Sequence, residues 1–227
     1  MDAGSTDATL DMLAAFPGNK RILHGVRGGI AHAMNRGIEA ATGHYIAHLH
    51  ADDYYARADV LSIVLRRFEQ ADRAGQPLEW VFGNIQVLEN GRLAPPYPMP
   101  PFSYRALAAG RASVPHPAVF LRRSVFAGVG MFDERLRYAM DIDLWLRLAA
   151  VHRPARIERV LAVFRDHAGS VSSRNKIAAR REEFAVRRRH AQHAPFAFGI
   201  YCLRYLKRLH ALRSQARATT RGDTRGD

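Results

Sequence analysis

Residues 35–55 read NRGIEAATGHYIAHLHADDYY, and this stretch decides the fold. Ile30, Ala33, Met34, Gly37, Ile38 and Ala41 recur at helical spacing, and Gly43 stands where a left-handed residue stops a helix. The residues that follow alternate as a strand does. Tyr45, Ala47 and Leu49 fall on one face, His44, His48 and His50 on the other, and the run ends in Asp52 and Asp53. In an open α/β sheet, ligands gather beyond the carboxyl ends of strands, where loops converge on a crevice that the sheet holds rigid. Two adjacent carboxylates at such a place suit a cation. Read alone, they equally suit a solvated turn that caps the next helix.

What separates these readings is the company the acids keep. The pattern N-x-G-I-x-x-A-x-G-x-Y-I-x-x-L-x-x-D-D, from Asn35 to Asp53, resembles the donor-binding core of the family 2 glycosyltransferases. The resemblance implies the GT-A fold, an α/β (Rossmann-like), mostly parallel sheet flanked by helices, with the acid pair as its DXD-type element. A second block, HPAVFLRRSVFAGVGMFDERLRYAMDIDLWLRL at residues 116–148, is similar to the acceptor-site segment of that family. There the acid matching Asp141 is the catalytic base, and Met140 occupies a place where many members have Glu. Read from spacing alone, Asp141 is an N-cap, and Asp143 with Arg147 is an exposed i,i+4 pair worth a few tenths of a kcal/mol.

The remaining site residues follow from the same resemblance. The opening Asp2-Ala-Gly-Ser-Thr-Asp7 is a turn-rich lead into a helix with Thr6 or Asp7 as cap and Leu10, Leu13 and Ala14 on one face. It also resembles the family's D-G-G-S-T-D-G-T loop, in which the acid matching Asp2 meets the nucleotide base. Family members carry a strand, a helix and a second strand upstream of that loop, so the chain is expected to lack the first strand and helix. Arg27-Gly-Gly29 opens the helix before Gly43, where free N–H groups and a guanidinium suit a diphosphate. Asp166-His167-Ala-Gly-Ser170 resembles the R-x-H-x-x-S segment that closes many GT-A sites, implying that His167 approaches the metal or the diphosphate. The implied assignments are Asp141 as base, Asp2, Arg27 and Asp52 on the donor, and Asp53 with His167 on Mg²⁺ or Mn²⁺.

Other elements are read from local pattern. Residues 20–24 and 157–165 read as strands. Residues 57–74 read as a helix with Val60, Leu61, Val64, Leu65 and Phe68 inward. Residues 79–88 read as a strand leading into an Asn90-Gly91 hairpin turn, and Pro95 to Pro101 as a surface loop.

Composition narrows the function classes. The 227 residues, 48% hydrophobic and 24% charged, suit one α/β domain with an extension. Cys202 is the only cysteine, which excludes a disulfide framework or a cysteine zinc cluster. There is no signal-peptide pattern and no apolar run long enough to span a bilayer. No H-E-x-x-H, Walker-type loop or G-x-S-x-G turn occurs. His48, His50 and Asp52 alternate as metal ligands can, and histidines on a strand face also simply pack.

The net charge of +13 is uneven: residues 174–227 hold 14 Lys or Arg against 4 Asp or Glu, and residues 1–173 hold 20 against 17. A basic extension on a near-neutral body points to an anionic surface. Three segments are expected: the GT-A domain at 1–173, a basic helical extension at 174–213 and a disordered tail at 214–227. In the extension, Ile200, Leu203, Leu206 and Leu209 form an apolar stripe that suits either the face of an anionic bilayer or packing on the parent domain.

The function expected is inverting transfer of a sugar from a nucleotide-diphosphate donor to a glycan or lipid-linked hydroxyl acceptor, by a cytoplasmic protein at the inner face of the plasma membrane. The alternatives are a non-catalytic GT-A remnant and a nucleic-acid-binding protein acting through the tail. The second should show steep salt dependence and survive Asp53→Ala. The tail lacks regular aromatic interleaving, so no nucleic acid is expected.

Overall fold

The computed structural model describes residues 1–96, 99–166 and 175–223, with side chains described as far as 212. The elements run α1 (Thr9–Ala15), α2 (Ile30–Ala40), β1 (Tyr45–Ala47), β2 (Tyr54–Tyr55), α3 (Val60–Arg73), β3 (Trp80–Glu89) and β4 (Arg92–Leu93). They continue with α4 (Tyr104–Ala108), β5 (Val119–Arg122), α5 (Val125–Val129), α6 (Met140–Val151), β6 (Ala155–Asp166), α7 (Lys176–Arg189) and α8 (Pro195–Asp223).

The strands form one sheet in the order β1-β5-β3-β6-β2, with β4 on β3. The α/β layering matches expectation, but the strand sense is mixed. β1, β3 and β6 share one direction, and β5 is inserted antiparallel between β1 and β3, so β3·β6 is the one parallel pair among the described strands. Parallel neighbours need a crossover between them. The chain from β3 to β5 instead returns through a loop and the short α4, which lays β5 alongside in the opposite sense.

Both faces of the sheet are covered, and period-2 alternation sorts side chains between them. Trp80, Phe82, Val119 and Leu121 join α2 and α6 in one core, where the Trp80 and Trp145 rings stack at 5.8 Å. Val81 and Phe120 face the other core with Val60, Val64 and Phe68 of α3 and Leu161 of β6. α3 forms where expected, but Leu61 and Leu65 are exposed, because Val60, Val64, Phe68 and Ala71 already fill the narrow stripe that meets the sheet. α1 buries none of its residues, and its N-cap position is Ala8, one residue later than expected, with Asp7 just before it accepting the Thr9 N–H through Oδ1.

Residues 20–24 form no strand. They meet Asp2 through one bond, Asp2 N–H to Leu23 O at 2.9 Å, and Val26 just beyond adds a second, its N–H to Asp2 O at 2.8 Å. The hairpin after β3 turns at Asn90 and Gly91, both at positive φ.

The β3·β6 register shifts around Gly83. A Cβ there would collide with the Leu161 side chain and come within 3.0 Å of the Arg159 carbonyl. Gly83→Ala is therefore expected to destabilise the fold by about 1–3 kcal/mol, read as a lowered urea midpoint.

The basic extension is not a separate lobe. Glu182 of α7 reaches back to accept the N–H groups of Arg137, Tyr138 and Ala139 at 3.1, 2.6 and 2.7 Å. Arg187 of α7 ion-pairs with Glu183 and bonds the carbonyls of Leu107 and Ala108. α8 continues to Asp223, so the tail expected to be disordered from 214 is helical that far. Ala, Arg and Gln in this stretch are good helix formers.

Candidate active site

β1 ends at Ala47, short of the strand read through His50, and Asp52 and Asp53 follow it in a turn that leads directly into β2. Asp53 is 7% exposed. Its N–H donates to His50 O at 3.1 Å, and its Oδ1 accepts the Arg165 N–H at 3.1 Å, which ties the loop to the end of β6. Its Oδ2 is buried with no hydrogen-bond partner among the described residues. Burial raises its pKa above the ordinary carboxylate value, the Arg165 N–H opposes that shift, and Asp52 adds to it. A buried carboxylate oxygen without a donor is costly unless something positive meets it.

The histidines that follow β1 lead from here toward α6. The rings of His50 and His48 lie 5.4 and 5.6 Å from that of His116, which sits just ahead of β5. His116 in turn stacks on Phe132 at 5.6 Å and meets Trp145 of α6 at 5.5 Å. Burial holds His116 well below the ordinary histidine value and takes His48 to about 4, so both rings are neutral at pH 7. His48 and His116 therefore pack as neutral aromatics, and among the described residues no group of three His, Cys, Asp or Glu is arranged to hold a metal by itself.

Asp141 occupies the first turn of α6, one turn ahead of Trp145. It is partly buried, and it forms no ion pair among the described residues. Its Oδ1 accepts the Ile142 N–H at 2.7 Å. Burial pushes its pKa up to about 6 against the pull of that bond. Glu183 pushes the same way and Arg187 the opposite way. The turn that carries it is held from outside by the Glu182 carboxylate on the three preceding N–H groups. Glu182→Ala is expected to lower the melting temperature in thermal denaturation, because it leaves three N–H groups of that turn without their acceptor.

Asp143 differs from expectation. It is buried, with Oδ2 at 2.9 Å from Arg147 Nε and Oδ1 at 3.1 Å from His190 Nε2. Arg147 goes on to bond the carbonyls of Val129, Gly130 and Met131. The pair is thus a buried strut between α6, the loop before it and the end of α7. Asp143→Ala should cost about 3 kcal/mol in denaturant unfolding, because it strands a guanidinium. Met140 is 6% exposed and belongs to the core.

At the amino terminus Asp2 is buried and spends its carboxylate locally, on the N–H groups of Gly4 and Ser5 and the hydroxyl of Ser5. The Ser5 hydroxyl is the largest cause that lowers its pKa. Arg27 is exposed and its guanidinium lies over Gly4, 3.4 Å from where a Cβ would be. Asp2 and Arg27, both assigned to the donor, are thus brought together. His167 lies outside the described residues.

Sequence reasoning passed over the clamp made by Asn35. Its amide donates to Phe132 O and Glu134 Oε1 and accepts from Phe132 N–H, at 2.9, 2.8 and 3.0 Å. It locks α2 to the loop that leads into α6. The motif position was visible, but its long-range partners were not.

A family model described as "Glycosyl transferase family 2" matches residues 1–129. This chain belongs to glycosyl transferase family 2. The family 2 chain is 34% identical over 166 residues to an uncharacterized glycosyltransferase of Mycobacterium tuberculosis, covering 72% of this chain and 61% of that protein. It is 30% identical over 168 residues to a PGL/p-HBAD biosynthesis glycosyltransferase of Mycobacterium bovis, with the same coverage of each. It is 30% identical over 188 residues to the chondroitin synthase of Pasteurella multocida, covering 81% of this chain and 19% of that one. It thus spans about three-fifths of the length of the mycobacterial relatives. Among solved structures, the crystal structure of S. aureus TarS 1–349 superposes with a TM-score of 0.61 at 14% identity, over 91% of this chain and 61% of that one. This likeness shows that the family 2 chain has the glycosyltransferase α/β fold.

Proposed function

We propose that this chain transfers a sugar from a nucleotide-diphosphate donor to a hydroxyl acceptor with inversion at the anomeric carbon. The observation that carries the reading is Asp141. It is a carboxylate in the first turn of α6, without an ion pair among the described residues, and burial raises its pKa to about 6. A general base works best with a pKa near the operating pH. Asp141 takes the proton of the acceptor hydroxyl as that oxygen attacks the anomeric carbon, while the bond from that carbon to the diphosphate oxygen breaks. A single displacement inverts the centre.

The donor is held from the other side. Asp52 binds the donor ribose, Arg27 adds positive charge beside the diphosphate, and Asp2 stands in the loop that receives the nucleotide base. Asp53, with its orphaned Oδ2, suits Mg²⁺ or Mn²⁺, since such ions are held by one or two carboxylates plus substrate phosphates and not by an all-protein cage. When bound, that ion supplies Lewis-acid stabilisation of the diphosphate leaving group. His167 is proposed as its further neighbour.

The acceptor proposed is a glycan or lipid-linked hydroxyl, met by a cytoplasmic protein at the inner face of the plasma membrane. Among the described residues no helix is long and apolar enough to cross a membrane. Titration calorimetry with UDP and Mn²⁺, paired with a donor-hydrolysis assay, tests the reading. Binding and turnover together support it. Binding without turnover points to a non-catalytic remnant.

A further inference from the structure

The last helix, α8, is apolar on two faces. One face, with Ala197, Tyr201 and Leu209, is buried on the domain, where the Arg187 guanidinium lies 4.7 Å over the Tyr201 ring. The other carries Phe196, Ile200, Leu203 and Leu206, which are 89, 44, 65 and 61% exposed. Spacings of four, three and three residues put these side chains on one stripe, pointing away from the protein. Apolar groups scattered singly on a surface need no explanation, whereas a continuous stripe along one helix marks an interaction site.

The charge beside the stripe says what covers it. Lys207 is exposed within it, and the half-buried Arg204 flanks it on the Ile200 side, whereas Arg208 lies on the domain-facing side beside Arg180 and Glu183 of α7. The Nε of Arg204 is buried without a hydrogen-bond partner among the described residues. A second copy of this chain would bring like charge to like, since residues 174–227 carry 14 basic against 4 acidic side chains.

We propose that the outward face of α8, Phe196, Ile200, Leu203 and Leu206 with Lys207 among them and Arg204 at its edge, seats the protein on an anionic bilayer surface. The apolar side chains enter the acyl boundary, and the cations meet lipid phosphates with their stems lying along the apolar zone. The helix lies in the plane of the surface and does not cross it. This deepens the localisation proposed above and does not depend on the transferase reading, because its test involves no sugar transfer.

The test is co-sedimentation of the full chain with phosphatidylcholine vesicles, with and without phosphatidylglycerol. Binding is expected only to the phosphatidylglycerol vesicles, weakening as salt rises. Leu203→Glu should lower it about tenfold or more, and Lys207→Glu about fivefold or more. Both sites are exposed, so the melting temperature should not move. Phe196→Ser provides a second apolar variant. Equal binding to both vesicle types, or binding to neither, overturns the proposal. So does a dimer that forms through this face in place of vesicle binding and is abolished by Leu203→Glu.

Discussion

Asp141→Asn is expected to lower glycosyl transfer by about 10²- to 10⁴-fold, the range spanned by a positioned general base. Asparagine keeps the volume and a carbonyl oxygen that accepts the Ile142 N–H, so donor affinity should stay within about twofold, a conservative surface-type effect. The wild-type rate should rise with pH, reach half its plateau near pH 6 and stay level above, because only the carboxylate takes a proton and its pKa is about 6. In the asparagine variant that limb should vanish.

The same residue makes an opposite prediction for stability. The folded-state pKa lies above the ordinary 3.8, so the folded protein binds this proton more tightly than the unfolded chain. The stability it contributes is present in acid and lost as pH rises from about 4 to about 6. After discounting for its partial exposure, Asp141→Asn should stabilise the protein at neutral pH by about 1–2 kcal/mol. Gain in stability with loss of turnover is the signature of a carboxylate kept desolvated for chemistry. A residue that merely capped α6 would show a loss of stability instead.

Asp53→Ala is expected to weaken divalent-dependent binding of a nucleoside diphosphate by more than about 100-fold, since even neighbours of metal ligands are worth 10- to 100-fold. Calorimetry with UDP and Mn²⁺ reads it directly. In the wild type the cation and nucleotide together should raise the melting temperature, with about 2.7 kcal/mol of stabilisation at a hundredfold excess over the dissociation constant. In Asp53→Ala that rise should disappear. The Arg165 N–H would then lose its acceptor on Asp53, so modest loosening of the β6 end is the structural side effect to separate from lost binding.

Much of this site is legible in the sequence because its parts are local. The strand before Asp52 and Asp53, the helix beginning beside Asp141, the Asn90-Gly91 turn and the inward Val60, Val64 and Phe68 all announce themselves within a few residues. What escaped is what depends on distant partners. Asp143 and Arg147 look like a solvated i,i+4 pair until His190 and three loop carbonyls close over them. α7 reads as polar nearly all round, yet it buries Glu183 and Arg187 by pairing them with each other and commits Glu182 to the turn before α6. Local periodicity cannot reveal a charged face that is buried because it is satisfied. The inserted antiparallel β5 escaped likewise, since strand sense depends on the path of the connections and not on the strand's residues.

One titration tests most directly whether carboxylates 53 and 141 divide donor and acceptor duties at one site. UDP with Mn²⁺ is titrated into wild type, Asp53→Ala and Asp141→Asn, and turnover of each is followed with the donor sugar. The account predicts that Asp53→Ala loses binding and turnover together, whereas Asp141→Asn binds like wild type and does not turn over. Loss of binding in Asp141→Asn, or wild-type binding in Asp53→Ala, would contradict it.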